Sequence, residues 1–358
     1  MLTQLIQRSL VGLLASALST GAALAEFSEA AASANRAKSL ASPPVIAESY
    51  IARRDAKDRL TSAAAIVDPR AGMTLYVTAA GANQLARFEA GSGRFLQTVG
   101  KSGAKLGDFK QPSFIGRADA LLFVVDTGNK RLQISRHGYQ SKPLGQLALP
   151  ALSAPSAFLV APARTGGYRT YLLDNVAGRR ELQISTVELV VGKGDSLLPT
   201  FNMKSLKSID LGPVSEIAPA IGLDASGDRL VVAQDKSVSV YTLTGEPVPA
   251  AKFATPSLSV VSVNVLECAD SIAQGYWILA ERNPAGGTAF EVFDRANFAL
   301  VAKFASKTIE ASHAGIMVPS AMAFFPFGAL FYPHQEQAIA SLSWERVADA
   351  TGLRKACF

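Results

Sequence analysis

The sequence predicts an all-β fold, a six-bladed β-propeller, from three observations about its repeats. A short apolar strand returns six times along the chain, as LYVT, FVVD, YLLD, LVVA, WILA and LFYP. The copies begin at residues 75, 123, 171, 230, 277 and 330, in steps of 48, 48, 59, 47 and 53 residues. Gly, Asn, Asp or Gln then forms a turn after each copy, before a second apolar strand. Repeats of about 40 to 50 residues built from hairpins are typical of β-propellers, so six copies predict six blades.

The first 25 residues have the pattern of an export signal. Arg8 supplies a positive start, Leu10–Leu18 is apolar, and Ala23-Leu24-Ala25 satisfies the small-residue rule for cleavage. The apolar run has nine residues, whereas a membrane span needs roughly 20, which makes a retained anchor the weaker alternative. We therefore expect a periplasmic or secreted protein with no membrane span after cleavage.

The rest of the chain divides into a short lead segment and one domain. Residues 26–44 are rich in Ala and Ser, which predicts a flexible or partly helical segment. Residues 45–358 form the expected propeller domain, in which Val45–Ile51 is the candidate strand that closes the ring by joining the last blade. Ser343–Gly352 favours a short C-terminal helix, because Glu, Arg and Ala are good helix formers and a glycine stands at its end.

Two cysteines and a basic charge balance indicate the environment and the partners. Cys268 and Cys357 suit an oxidising compartment, where an even count favours a disulfide; two buried free thiols are the alternative. The net charge of +6 favours an anionic or phosphorylated small molecule as ligand. Lys and Arg are scattered and are not interleaved with aromatic residues, so we expect no nucleic-acid partner. We expect a monomer.

Four strings of the chain follow the order of strands in a known family. They are LYVTAAGANQLARFEAGSGRFLQTVGKSG, FVVDTGNKRLQIS, GYWILAERNPAGGTAFEVFDR and FPFGALFYPHQEQAIASLSWERVADATGL. Together they resemble the β-propeller phytases (3-phytases), and most closely the diverged proteobacterial phytase-like branch. These enzymes are secreted, six-bladed, calcium-dependent phosphatases that act on inositol hexakisphosphate. The resemblance therefore implies the same fold over residues 45–355 and a related ligand.

The resemblance also implies a metal site, and here the chain departs from the family. In the phytases several Ca²⁺ ions are held by Asp and Glu oxygens in and above the central channel. This chain has Thr78-Ala79-Ala80 in place of a Thr-Asp-Lys string, and His313-Ala314-Gly315-Ile316 in place of an Asp-Gly-Ile string. Most of the expected carboxylates are therefore missing.

Few candidate site residues remain, and we assign no catalytic residue. The candidate ligand-binding residues are Asp126, Asn129, Arg131, Asp174 and His313. A reduced calcium site would use Asp126, Asp174 and Asp235. Whether the protein binds calcium is left open by the sequence. Each candidate also has a structural interpretation, because Asp and Asn are favoured in turns and an isolated His is more often structural.

Three functions are compatible with this pattern. The leading hypothesis is an exported phytase-like propeller with a degenerate calcium and phosphate site that binds a ligand without catalysis. One alternative is an active calcium-dependent phosphomonoesterase of the phytase type. The other is a periplasmic scaffold for protein contacts.

Overall fold

The computed structural model describes residues 29–53, 58–68, 72–89, 92–137, 141–190, 199–215, 219–268, 271–282, 288–308, 323–325, 329–334, 338–355 and 357. The predicted export signal lies outside this part of the chain. Two α-helices are described, α1 over residues 29–41 and α2 over Trp344–Thr351. No helix in the described ranges is long and apolar enough to cross a membrane.

The strands follow one another as a series of antiparallel hairpins, which accounts for the repeated strand pattern. The first eight after β1 (Val45–Arg53) are β2 (Leu60–Asp68), β3 (Gly72–Ala79), β4 (Gln84–Glu89), β5 (Phe95–Val99), β6 (Pro112–Ala118), β7 (Leu121–Asp126), β8 (Arg131–Arg136) and β9 (Pro143–Ala148). The next seven are β10 (Pro155–Pro162), β11 (Tyr168–Val176), β12 (Arg179–Val190), β13 (Thr200–Pro213), β14 (Ala220–Asp224), β15 (Arg229–Gln234) and β16 (Ser237–Tyr241). The last seven are β17 (Val260–Cys268), β18 (Ser271–Arg282), β19 (Thr288–Asp294), β20 (Leu300–Thr308), β21 (Ala323–Phe325), β22 (Ala329–His334) and β23 (Ala338–Ser343).

The fold is an all-β propeller, as predicted, but the described strands form five blades and not six. Its five sheets are β2–β5, β6–β9, β10–β13, the three-stranded β14–β16, and one eight-stranded sheet. The large sheet arises because β1 pairs with two strands, parallel to β20 and antiparallel to β23. The fifth and sixth copies of the repeated strand are thereby joined in one sheet. The pairing of β1 with β23 confirms that the first strand joins the last hairpin.

The first strands of successive sheets pack side by side, which places the sheets in ring order: β2 contacts β6, β6 contacts β10, β10 contacts β14, and β14 contacts β17.

The second strand of each sheet is apolar on both faces because a neighbouring sheet covers each side. All six residues of β7, Leu121–Asp126, are buried, for example. Burial between sheets therefore explains the near-continuous apolar runs of the repeat.

The C-terminus is fixed to the fold by a covalent bond and by a helix. Cys268, at the end of β17, and Cys357 form the predicted disulfide. The predicted C-terminal helix is α2, which ends at Gly352 with a φ of +70°. A side chain at Gly352 would collide with the backbone of α1, so the close approach of the two helices requires glycine there. The lead segment, predicted to be flexible or partly helical, thus contains a helix that packs on the end of α2.

Candidate functional site

Three of the predicted ligand-binding residues come together at the end of β7. The Asp126 carboxylate accepts hydrogen bonds from Arg131 Nε at 2.7 Å, Asn129 Nδ2 at 2.8 Å and Gln133 Nε2 at 3.1 Å. Its other oxygen accepts the backbone N–H of Lys110 at 2.7 Å. The carboxylate is fully buried, and each of its oxygens has a partner within the protein.

These side chains hold the connection between β5 and β6. Arg131 donates to the carbonyl oxygens of Ala104, Lys105 and Asp108 at 2.6–3.0 Å. Asn129 donates to the carbonyl of Gly103 at 2.9 Å. Buried polar groups require such partners, so this network fastens a loop that has no regular ladder of its own. A ligand role for these residues stays a prediction.

Asp174 holds the next connection in a similar way. Its carboxylate accepts the backbone N–H groups of Ser153, Ala154 and Asn175 at 2.7–2.9 Å, and it is 1% exposed. The sequence left open whether an acid after the repeated strand serves a turn or a ligand. The contacts of Asp174 are those of a residue that fastens the loop before β10.

The reduced calcium site predicted from Asp126, Asp174 and Asp235 is not assembled. Among the described residues, no group of three Asp, Glu, His or Cys side chains lies close enough together to hold a metal ion. The physical reason is that the first two acids bind different loops in different sheets, whereas Asp235 follows β15 and accepts a hydrogen bond from the Ser259 hydroxyl. His313 lies outside the described residues.

A buried pair of carboxylates that the sequence analysis did not select lies in the blade of β17–β20. Glu281 and Glu291 are 1% and 3% exposed. The register pairs Leu279 with Glu291 and Glu291 with Lys303, so both acids and the lysine share one face of the sheet. Apolar residues of this face pack against β14–β16. The acids therefore lie between two blades.

The position of Glu281 matches that of Asp126 and Asp174. Each of the three stands opposite the first residue of its blade, where the pairing register shifts: Pro112, Pro155 and Val260, respectively. In the fifth copy the repeated strand WILA extends one residue further than in the second and third copies. A comparison of the fourth residue of each copy therefore selected Ala280 and missed Glu281. Alignment by strand pairing, which the sequence does not display, would have found the acid.

The two carboxylates share few donors. Glu291 accepts from Lys303 Nζ at 2.7 Å and from the Ser257 hydroxyl at 2.6 Å, and Glu281 accepts the Leu258 N–H at 3.3 Å. Burial, and after it the negative charge of Glu291, raise the pKa of Glu281 to about 7 against the opposing effects of the Leu258 N–H and Lys303. A perturbed carboxyl group of this kind is typical of functional sites.

A cavity of about 550 Å³ lies between the three-stranded blade and the segment of chain that leads to β17. One wall is the turn and edge of the three-stranded blade, and the other is the segment that leads to Ser257 and Leu258. It is lined by Gln234, Asp235, Lys236, Ser237, Val238, Phe253, Ala254, Thr255 and Pro256. We call this cavity the β16 groove. Asp235 is the one predicted candidate among the described residues that lines it, and Lys236 contributes a cation.

No protein family and no curated protein matches the sequence. Solved structures are similar at low identity. Regucalcin of Agrobacterium tumefaciens, described as a calcium-binding protein, is 12% identical over 84% of this chain and 94% of that chain, with a TM-score of 0.47. Hydrazine synthase of Kuenenia stuttgartiensis is 9% identical over 80% and 96%, with a TM-score of 0.46. A chain of the nidogen/laminin complex is 13% identical over 78% and 82%, with a TM-score of 0.45. At this level of similarity they carry no argument about ligand, partner or activity.

Proposed function

We propose that this protein is an exported, non-catalytic propeller that binds an anionic ligand in the β16 groove. The observation that carries the proposal is the groove itself. It offers about 550 Å³ between the three-stranded blade and the segment that leads to β17, with the Lys236 ammonium and the hydroxyl and amide groups of Ser237, Thr255 and Gln234 in its lining. Pockets of this size with a few polar groups are the usual form of ligand sites.

The contacts of the predicted metal ligands favour binding over phosphate hydrolysis. Calcium takes six to eight oxygen ligands, many of them from carboxylates. The Asp126 and Asp174 oxygens already accept N–H groups of the protein. Carboxylates used in this way have few lone pairs left for a cation. The phytase resemblance is then one of ancestry, with the catalytic metal chemistry lost.

The disulfide supports export. Disulfides persist in oxidising compartments, and Cys268 and Cys357 are bonded to each other. Together with the export signal predicted for the first 25 residues, this bond favours a periplasmic or secreted protein.

The proposal is tested with inositol hexakisphosphate and calcium. We expect calorimetry to show binding that weakens in Lys236→Gln and is unchanged in Lys142→Gln, a matched exposed lysine of another blade. We expect no release of phosphate with or without Ca²⁺. Calcium-dependent release of phosphate would show that the protein is a phosphomonoesterase instead. Binding that is unchanged in Lys236→Gln would show that the β16 groove is not the binding site.

A further inference from the structure

Among the described strands, none pairs with the blade of β14–β16 as a fourth. It has three strands, whereas the sheets β2–β5, β6–β9 and β10–β13 each have four. The chain after β16 starts to form the missing strand, because Tyr241 pairs with Pro247 and the Val248 N–H donates to the Val240 carbonyl at 2.8 Å. The sequence Glu246-Pro-Val-Pro249 then ends the pairing, since proline has no N–H to donate to a ladder.

The first half of β16 is therefore an open sheet edge. Along an antiparallel strand the outward-facing backbone groups alternate. Because the Val240 carbonyl faces the outer side, the N–H and C=O of Val238 face the same side. No described strand pairs with Val238 there, since β16 pairs only with β15 in the described sheets.

The β16 groove lies along this open edge. Val238 lines one wall, while Phe253, Ala254 and Thr255 of the returning chain line the other. Phe253 packs edge-on against Trp277, Phe293 and Phe298, with ring centroids 4.9–6.1 Å apart. The far wall is thus held in place by the core, and the space between the walls is where a fourth strand would run.

We propose that this groove binds an extended acidic peptide, which adds to β16 as the missing fourth strand; this inference rests on the proposed function. Strand addition to an open edge is a common mode of peptide recognition, in which the main chain gives affinity and alternate side chains give specificity.

The charges at the groove favour an acidic partner. Lys236 lines the groove with an exposed side chain, while the neighbouring Asp235 is engaged by the Ser259 hydroxyl. Glu281 is buried and Glu291 is paired with Lys303, so neither presents a free carboxylate to the opening. The net charge of +6 adds long-range attraction.

The pleat of β16 indicates which peptide fits. Val238 and Val240 direct their side chains towards the core cluster that contains Trp277 and Phe293. Alternate residues of an added strand would face the same side. A peptide with valine at every second position and glutamate between would pack apolar groups next to Phe253 and leave its carboxylates for Lys236 and solvent.

The probe is a fluorescein-labelled six-residue peptide of alternating glutamate and valine, measured by fluorescence anisotropy at low salt. Three variants are compared. Val238→Pro removes the outward N–H, and Ala254→Trp fills the groove without removing a described contact. Ala225→Trp is the matched control, since Ala225 is an exposed alanine in the turn at the opposite end of β15.

We expect the first two variants to weaken binding by at least about tenfold, as the loss of one or two main-chain hydrogen bonds with their packing would. We expect Ala225→Trp to bind as the wild type does. The same peptide with alternate amides N-methylated, and a lysine–valine peptide, should also bind at least about tenfold more weakly. If Val238→Pro fails to fold, Ala254→Trp and the methylated peptide still decide the question.

Binding that is absent, or equal for the methylated and unmethylated peptides, overturns the inference. Inositol hexakisphosphate separates this result from failure of the proposed function. If it binds in a Lys236-dependent manner while the peptide does not, the groove is an anion site without strand addition. If neither probe binds, both proposals fail.

Discussion

The interface between β14–β16 and β17–β20 is held in different ways at its two ends. At one end, Arg295 donates Nε to Asp224 at 2.8 Å and a second nitrogen to the same carboxylate, and it lies 3.1 Å from Glu267. At the other end, Glu281 and Glu291 have Lys303 as their neighbouring cation. Each end thus combines two acids with one basic residue. Only at the first end does a carboxylate, that of Asp224, accept two hydrogen bonds from an arginine.

The pKa values of the two ends move in opposite directions. Burial alone would raise the pKa of Asp224, but hydrogen bonds from Arg295, the Gly227 N–H and Ser226, together with the charge of Arg295, hold it below its usual value. The pKa of Glu281 is raised to about 7 by burial and by Glu291. One end therefore stabilises the folded protein through a buried ion pair, whereas the other buries two acids with one lysine. The difference indicates that the end with Arg295 holds the two blades together, whereas the end with Glu281 is the one next to the ligand-binding β16 groove.

The largest effect is expected from Arg295→Met. The substitution leaves Asp224 buried without its partner, so we expect a loss of about 3–5 kcal/mol in the free energy of unfolding. Chemical denaturation measures it, with Arg164→Met in an exposed turn as control. A loss below about 1 kcal/mol, the range of exposed ion pairs, would show that this end does not hold the interface.

The disulfide strengthens the same end, because Cys268 directly follows Glu267. It closes a loop between residues 89 positions apart. Replacing both Cys268 and Cys357 with Ala should cost about 2–5 kcal/mol, since the unfolded chain gains freedom. Denaturation midpoints with and without a reductant provide the measurement. A wild type that is equally stable in reductant, with its thiols shown to be free, would contradict this expectation.

Glu281→Gln should act in the opposite sense and only at high pH. The pKa of Glu281 is about 7 in the folded protein, whereas the ordinary value of a glutamate, which applies to the unfolded chain, is 4.5. Stability from this group is complete below about pH 4.5 and is lost as the pH rises through 7. Glutamine does not titrate, so at pH 8 the variant should melt about 2–4 °C above the wild type.

The matched control for this prediction is Glu188→Gln, which changes an exposed acid in another blade. Melting curves at pH 5 and pH 8 isolate the effect. A variant that is less stable than the wild type at both pH values would mean that the Glu281 carboxylate is stabilising as an ion.

The smallest effect concerns Glu291→Gln. Removing the Glu291 charge should lower the pKa of Glu281, which stays above its ordinary value because the group is still buried. Carboxyl-carbon NMR titration reports this pKa directly. An unchanged titration midpoint would show that burial acts alone and that the two acids are not coupled.

Local sequence patterns predicted the elements and the closing strand, but not every pairing between strands. The apolar strings, the cysteine pair and the glycine after the last helix each carry their own signal, and the corresponding strands, disulfide and helix end were predicted. The number of blades was wrong because β1 hydrogen bonds to both β20 and β23. The pairing with β23 was predicted, whereas the pairing with β20 is a long-range contact that the sequence pattern does not display.

The candidate site shows the same division. Asp126, Asn129 and Arg131 lie near each other in the sequence, and the structure brings them together. Their contacts, however, are with the loop between β5 and β6, and a ligand role stays a prediction. Glu281 and Glu291 are ten positions apart and meet across a strand pair. The open edge of β16 depends on where the chain leaves the sheet after Pro247, which only the three-dimensional path reveals.

Hydrogen–deuterium exchange of the amides in β16 and in residues 253–259, with and without the glutamate–valine peptide, tests the separation of the two ends most directly. We expect saturating peptide to protect the Val238 amide and the facing segment, while amides beside Arg295 and Asp224 exchange at unchanged rates. Protection at the Arg295 end, or none at Val238 when the peptide is bound, would contradict the assignment of binding to the β16 groove.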